Sequence, residues 1–174
     1  MKDKKTLRLS TYLFLNLGLI NGLINALINY CVGFLLFRNL ERIFVFGKSK
    51  SIIGDTFIMT FIVTCASILI TLGIMNGHFK KFYFVFDVTG SKRISNFFFG
   101  TELLKNFWMK VIIAGIFLGS ILSCLMAVMF LVLGIDSLSF QGILWYRMTF
   151  SFIVAFFVSV IAGSCRAMFL QGRE

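Results

Sequence analysis

Residues 13–37 read LFLNLGLINGLINALINYCVGFLLF, and this uncharged stretch decides the fold. An α-helix needs about 20 such residues to cross a hydrocarbon layer of about 30 Å. Three more stretches are long and apolar enough, at 52–75, 111–133 and 144–169. Runs of this length without strict alternation predict helices and not the strands of a barrel. We therefore predict an all-α, polytopic membrane protein in which residues 1–174 form one domain with four transmembrane helices.

The composition excludes an ordinary soluble domain. Hydrophobic residues make up 59% of the chain, charged residues make up 14%, and the mean hydropathy is +0.94. A net charge of +10 suggests nucleic acid when the basic residues form one patch. Here they lie in short islands between the apolar runs, so the lipid bilayer is the predicted partner and nucleic acid is not.

The basic residues outside the spans are divided unevenly between the two sides of the predicted domain. One side carries Lys2, Lys4, Lys5, Arg8, Lys80, Lys81, Lys92, Arg93, Lys105 and Arg173. The other side carries Arg38, Arg42, Lys48 and Lys50. Because cytoplasmic loops are enriched in Lys and Arg, both termini are predicted to be cytoplasmic. The connection 76–107 is rich in Phe and Lys, which predicts a cytoplasmic segment lying in the interface, or alternatively a docking site for a partner.

Polar residues form a stripe on each of the first two helices. Asn21, Asn25 and Asn29 recur every four residues and share one face, which should point at another helix because an amide in lipid needs partners. The second stripe consists of Thr56, Thr60, Thr64, Ser67 and Thr71, and it can face the asparagines. The asparagines act either as interhelical contacts or as the lining of a path for a polar solute. The hydroxyls can instead bond back to their own helix.

Small residues line one face of the first and third helices. Gly18, Gly22 and Ala26 run beside the asparagines, and Gly115, Gly119 and Ser123 repeat the spacing. Small residues four apart let two helices approach closely. We predict contact through these faces, either between helices one and three or between copies of one helix in a dimer.

Asp55 is the one acidic residue inside the predicted spans, and Arg147 lies near the start of the fourth helix at the same predicted depth. Their matching depth predicts an ion pair at the outer face. The alternative is a carboxylate favoured by its helix N-terminus together with an arginine that extends to the interface.

Catalytic and metal-binding motifs are missing from the sequence. His78 has no second ligand at a helical or zinc spacing, the four cysteines fall one per helix, and the acidic residues are scattered. We therefore expect no enzyme, no cofactor and no metal site.

Short matches between the two halves suggest a duplicated helical hairpin. Leu17-Gly18, Ala26 and Gly33 recur as Leu118-Gly119, Ala127 and Gly134, and Met59-Thr60-Phe61 recurs as Met148-Thr149-Phe150. A duplication makes helices one and three equivalent.

Three segments carry a resemblance, at residues 22–29 (GLINALIN), 46–47 (FG) and 51–56 (SIIGDT). With Phe37-Arg38 they resemble a group of short bacterial membrane proteins with four helices and an asparagine-rich first helix. The resemblance covers about residues 17–75. It implies a bacterial inner membrane and brings no activity.

These patterns predict a non-enzymatic structural or accessory component of the membrane, which self-associates or binds a membrane protein partner. The alternative is an oligomeric channel or transporter for a small solute. Its path is lined by Asn21, Asn25, Asn29, Thr60 and Thr64.

Overall fold

The computed structural model describes residues 6–47, 50–79, 83–85 and 107–171. Four long helices dominate it: α1 (Leu9–Phe37), α2 (Ile52–Phe79), α3 (Phe107–Val132) and α4 (Phe140–Gln171). All four are long and apolar enough to span a membrane, which confirms the predicted all-α class. Each helix starts at or before its predicted start, because residues that precede the apolar run, such as Tyr12 and Trp108, are also helical. Most of the predicted interfacial connection, and the basic N-terminal residues 2–5, lie outside the described residues.

Helix α1 changes its winding near its start. Leu9–Thr11 is α-helical, Tyr12–Leu19 is π-helical, and Ile20–Phe37 is α-helical again. The wider turns bury Leu13 and Leu17 together with Tyr12, against Met75 of α2 and Ala167 of α4. This segment therefore packs the start of α1 against both α2 and α4.

Two short strand pairs, which the sequence patterns do not predict, lie at opposite ends of α1. Strand β1 (Thr6–Arg8) pairs in parallel with β3 (Tyr83–Val85). Strand β2 (Arg42–Phe44) pairs antiparallel with β4 (Ser137–Ser139). We call the two ends of the bundle the β1–β3 end and the β2–β4 end. At the β2–β4 end the ribbon covers a cluster of buried apolar side chains from Phe37, Ile43, Val45, Ile52, Phe130 and Ile143.

Helices α2 and α4 pack together at the centre, with α1 against α4 and α3 against α2. This arrangement corrects the expected contact between helices one and three. Their small-residue faces are covered inside the chain by phenylalanines of the central helices, so they are not open for a dimer of one helix either. Gly18 and Gly22 lie against Phe156 and Phe152, and Gly115 and Gly119 lie against Phe61 and Phe57.

The same glycine–phenylalanine contact thus occurs once on each side of the central pair. Two glycines four residues apart on a flanking helix meet two phenylalanines four residues apart on a central helix. A duplication of the helical hairpin accounts for this arrangement. The contacts make Gly18 correspond to Gly115, whereas the sequence matches align Gly18 with Gly119. The duplication itself stays a prediction.

Candidate functional site: a polar interior

The asparagine stripe of α1 is buried against α4. Asn21, Asn25 and Asn29 are 5–8% exposed. The Asn21 amide donates to the Ser159 hydroxyl at 2.5 Å. The Asn25 amide donates to the Asn21 carbonyl at 2.9 Å and to its side-chain oxygen at 3.0 Å, and the Asn29 amide donates to the Asn25 carbonyl at 3.0 Å. The stripe therefore bonds to α4 and along its own helix, and in these contacts it does not meet the threonines of α2.

Helix α4 places three polar side chains against the stripe. The sequence patterns described above do not predict this set. Arg147, Ser151 and Ser159 are all buried. The Ser151 hydroxyl lies 3.3 Å from the Asn25 carbonyl, and Arg147 Nε donates to the Asn29 carbonyl at 3.2 Å. The signal was present in the sequence, because positions 147, 151, 155 and 159 share one helix face and 155 is alanine.

The structure places Asp55 and Arg147 in contact as an ion pair, with Arg147 Nη1 donating to Asp55 Oδ1. The pair is more buried than an interfacial pair, since the side chains are 3% exposed for Arg147 and 12% for Asp55. Gly33 of α1 makes room for it, because a Cβ there would lie 2.8 Å from Arg147 Cδ. Arg147 of α4 thereby contacts Asp55 on α2 and the Asn29 carbonyl on α1, so one side chain links three helices.

A second polar contact links α2 to α4 beside this pair. The Thr56 hydroxyl donates its hydrogen to the Ile52 carbonyl at 2.7 Å, and it lies 2.6 Å from the Tyr146 hydroxyl. A threonine hydroxyl has one hydrogen, so Tyr146 is the donor to Thr56. This end of the interior is therefore tied together by both a charged and a neutral contact.

The rest of the α2 stripe is buried without hydrogen-bond partners among the described residues. Thr60, Thr64, Ser67 and Thr71 are at most 1% exposed, and their hydroxyls are unpartnered. Ser123 of α3 is also buried with an unpartnered hydroxyl. A buried polar group without a partner costs about 1–3 kcal/mol. The Thr56 hydroxyl bonds to a carbonyl of its own helix, as the alternative interpretation of the stripe predicts, whereas the other four hydroxyls do not.

Polar contacts also join the helices at the β1–β3 end. The Tyr12 hydroxyl of α1 lies 2.6 Å from Nδ1 of His78, near the end of α2. Arg166 of α4 donates to the Asn76 side-chain oxygen of α2 at 2.9 and 3.1 Å. The central helices α2 and α4 thus make polar side-chain contacts near both of their ends.

The interior offers amides, hydroxyls and the Asp55–Arg147 ion pair. Within residues 6–47, 50–79, 83–85 and 107–171, no group of three or more His, Cys, Asp or Glu is arranged to hold a metal ion. All four cysteines are free thiols, with Cys31 and Cys124 on the exposed outer faces of α1 and α3. No protein-family model matches the chain, and neither a curated protein nor a solved structure matches it.

Proposed function

We propose that this protein is a non-enzymatic structural or accessory component of a bacterial inner membrane, with both termini in the cytoplasm. Its polar interior holds α1, α2 and α4 together and does not conduct a solute. The observation that carries this proposal is that each of the three stripe asparagines donates an amide hydrogen to an atom of the same chain. In a solute path those donors face the path instead.

The energetic argument agrees with a packing role. Helices in lipid gain little from hydrophobic burial against each other, so packing and interhelical hydrogen bonds must hold α1 to α4. The Ser151 hydroxyl has one hydrogen, which it can donate either to the Asn25 carbonyl at 3.3 Å or to the Met148 carbonyl of its own helix at 3.2 Å. Two further contacts join α1 to α4: Asn21 with Ser159, and the Asn29 carbonyl with Arg147. Each is worth about 0.6 kcal/mol on average. Together with the glycine–phenylalanine contacts, they fix the position of α1 on the central pair.

A membrane protein partner or a second copy of the chain would bind at the outer faces of α1 and α3. These faces carry large exposed side chains, including Leu23, Leu27, Phe117 and Leu125. In a lone chain lipid covers them. Cross-linking in native membranes through Cys31 or Cys124, which lie on these faces, tests whether a consistent protein neighbour replaces lipid there.

The substitution Asn25→Leu separates the packing role from a path. We expect the free energy of unfolding to fall by roughly 1 kcal/mol, because the hydrogen bonds along α1 from the Asn25 amide to Asn21 are lost. Unfolding is followed by circular dichroism in mixed micelles of mild detergent and dodecyl sulfate. Proteoliposomes of both proteins are assayed for glycerol and urea entry by light scattering and for proton entry with an enclosed pH dye. We expect both proteins to match empty liposomes.

A second candidate, a channel or transporter for a small solute, is supported by the unpartnered hydroxyls of α2. These hydroxyls follow one another along α2 and would find partners in a water-filled state. If this candidate is right, the unchanged protein conducts one of the probes, and Thr64→Val reduces that flux without lowering stability. A flux that disappears in Asn25→Leu while the unfolding free energy stays the same would contradict the packing proposal.

A further inference from the structure

A cleft of about 530 Å³ opens at the β2–β4 end, between the last turns of α1 and the first turn of α4. Small-molecule sites in proteins occupy about 300–1,000 Å³, so the cleft is large enough for such a ligand. Its lining includes three aromatic side chains and a buried leucine: Tyr30, Phe34, Phe140 and Leu144. Because both helices meet their loops here, a ligand can reach the cleft from the membrane surface.

The aromatic rings leave room for a ligand on their faces. The ring centroids of Phe34 and Phe140 lie 5.9 Å apart, with 58° between the ring planes. Tyr30 is 39% exposed and Phe34 is 45% exposed, so both side chains keep free surface. The faces of aromatic rings carry partial negative charge and attract a cation. The lining therefore suits a cation with apolar surface.

Glu41, in the loop that follows α1, adds a carboxylate to the same cleft. Its backbone carbonyl accepts a hydrogen bond from the Phe140 amide at 3.3 Å, which holds Glu41 beside the rings. The Glu41 side chain is exposed. Arg38 and Arg42 are close in sequence, but neither forms an ion pair with Glu41 in the part of the chain that the structure describes. The carboxylate is therefore available to a cationic ligand.

We propose that this cleft binds a small organic ammonium ion of the quaternary type, with its methyl groups on the aromatic rings and its charge opposite Glu41. Quaternary ammonium groups are the ligands that clusters of aromatic rings recognise. Gln141 is exposed and also lines the cleft, so its amide can bond to a hydroxyl group on the ligand, such as that of choline. This binding activity goes beyond the structural role proposed above.

Competition with a neutral analogue tests the need for a positive charge. Equilibrium dialysis measures the binding of radiolabelled choline to the full-length protein in dodecyl maltoside. The competitor neohexanol has the shape of choline but carries carbon in place of the charged nitrogen. We expect unlabelled choline to displace the label at an about tenfold lower concentration than neohexanol, because only the cation interacts with the ring faces and with Glu41.

Substitutions then locate the binding in the cleft. Glu41→Gln is expected to weaken choline binding about fivefold by removing the charge. Asp136→Asn is the matched control, since Asp136 is an exposed acid at the same end of the bundle that does not line the cleft. Phe34→Leu removes one ring and should weaken binding about threefold, whereas Phe117→Leu on the outer face of α3 should leave it unchanged. Circular dichroism verifies that each variant is folded.

The ammonium group can come from a free ion or from a lipid headgroup, and vesicles separate the two sources. The protein is reconstituted into phosphatidylglycerol vesicles containing phosphatidylcholine, or phosphatidylethanolamine at the same mole fraction. A lower affinity for choline in the phosphatidylcholine vesicles would identify the lipid headgroup as a ligand of the cleft. Equal affinities in the two kinds of vesicle would identify the free ion.

Two results would overturn the proposal. One is displacement of the label by neohexanol and by choline at equal concentrations, which would show that the charge is not recognised. The other is choline binding that is as strong in folded Glu41→Gln and Phe34→Leu as in the unchanged protein. In that case choline binds outside the cleft.

Discussion

Replacing Arg147 with leucine is expected to lower the free energy of unfolding by about 3–5 kcal/mol. The change leaves the Asp55 carboxylate buried without its partner, and it also removes the bond to the Asn29 carbonyl. Desolvating a charge without a partner is costly, and this loss outweighs the gain from a leucine in an apolar setting. Reversible unfolding in mixed micelles, followed by circular dichroism, measures the loss.

Arg166→Leu is the matched control, because it removes the same charge from the same helix. Arg166 is partly exposed and donates to the neutral Asn76 side chain, so we expect a loss of about 1 kcal/mol or less. The double variant Asp55→Leu/Arg147→Leu should recover most of the stability lost in Arg147→Leu, because neither charge then remains buried alone. If Arg147→Leu is as mild as Arg166→Leu, the pair is solvated and the described interior is wrong.

The substitution Gly22→Leu is expected to cost about 1–3 kcal/mol by overpacking the contact between α1 and α4. A Cβ at this position would lie 2.9 Å from the Phe152 ring and 3.3 Å from the Phe152 carbonyl oxygen. The ring can rotate away, but the carbonyl belongs to the backbone of α4 and cannot yield without moving the helix. Because α1 is pushed outward, the neighbouring asparagine contacts should lengthen as well.

Gly73→Leu provides the control within the same chain. Gly73 is also a glycine inside a transmembrane helix, but a Cβ there meets nothing within 4 Å. The change should be neutral or stabilising by up to about 1 kcal/mol, because leucine favours the helix more than glycine does. Equal effects of the two substitutions would show that α1 does not pack on α4 at Gly22.

The number and type of helices could be predicted because the length of an apolar run is a direct consequence of bilayer thickness. The strands β2 and β4 could not, since each has only three residues and its pairing connects two loops far apart in the sequence. Their short length leaves too little alternation to read as a strand pattern.

The residues that share a helix face could be predicted more reliably than the helix that packs against that face. Helical spacing places Asn21, Asn25 and Asn29 on one face, but it carries no information about which helix covers that face. In the structure α4 covers this face: the Ser159 hydroxyl accepts from the Asn21 amide, and the Ser151 hydroxyl lies 3.3 Å from the Asn25 carbonyl. The pairing of Asp55 with Arg147 followed from their depth. Its burial did not, because it depends on the space left by Gly33 on a third helix.

The central claim is that the asparagines of α1 bond to α4 within one chain. The most direct test is a double-mutant cycle on Asn21→Leu and Ser159→Ala, with unfolding free energies measured in mixed micelles. The 2.5 Å contact predicts a coupling of about 0.6–1.7 kcal/mol between the two changes. As a reference, the Ser164 hydroxyl donates to Val160 of its own helix, so Asn21→Leu with Ser164→Ala should show a coupling near zero. A coupling near zero for Asn21 with Ser159 as well would contradict the account.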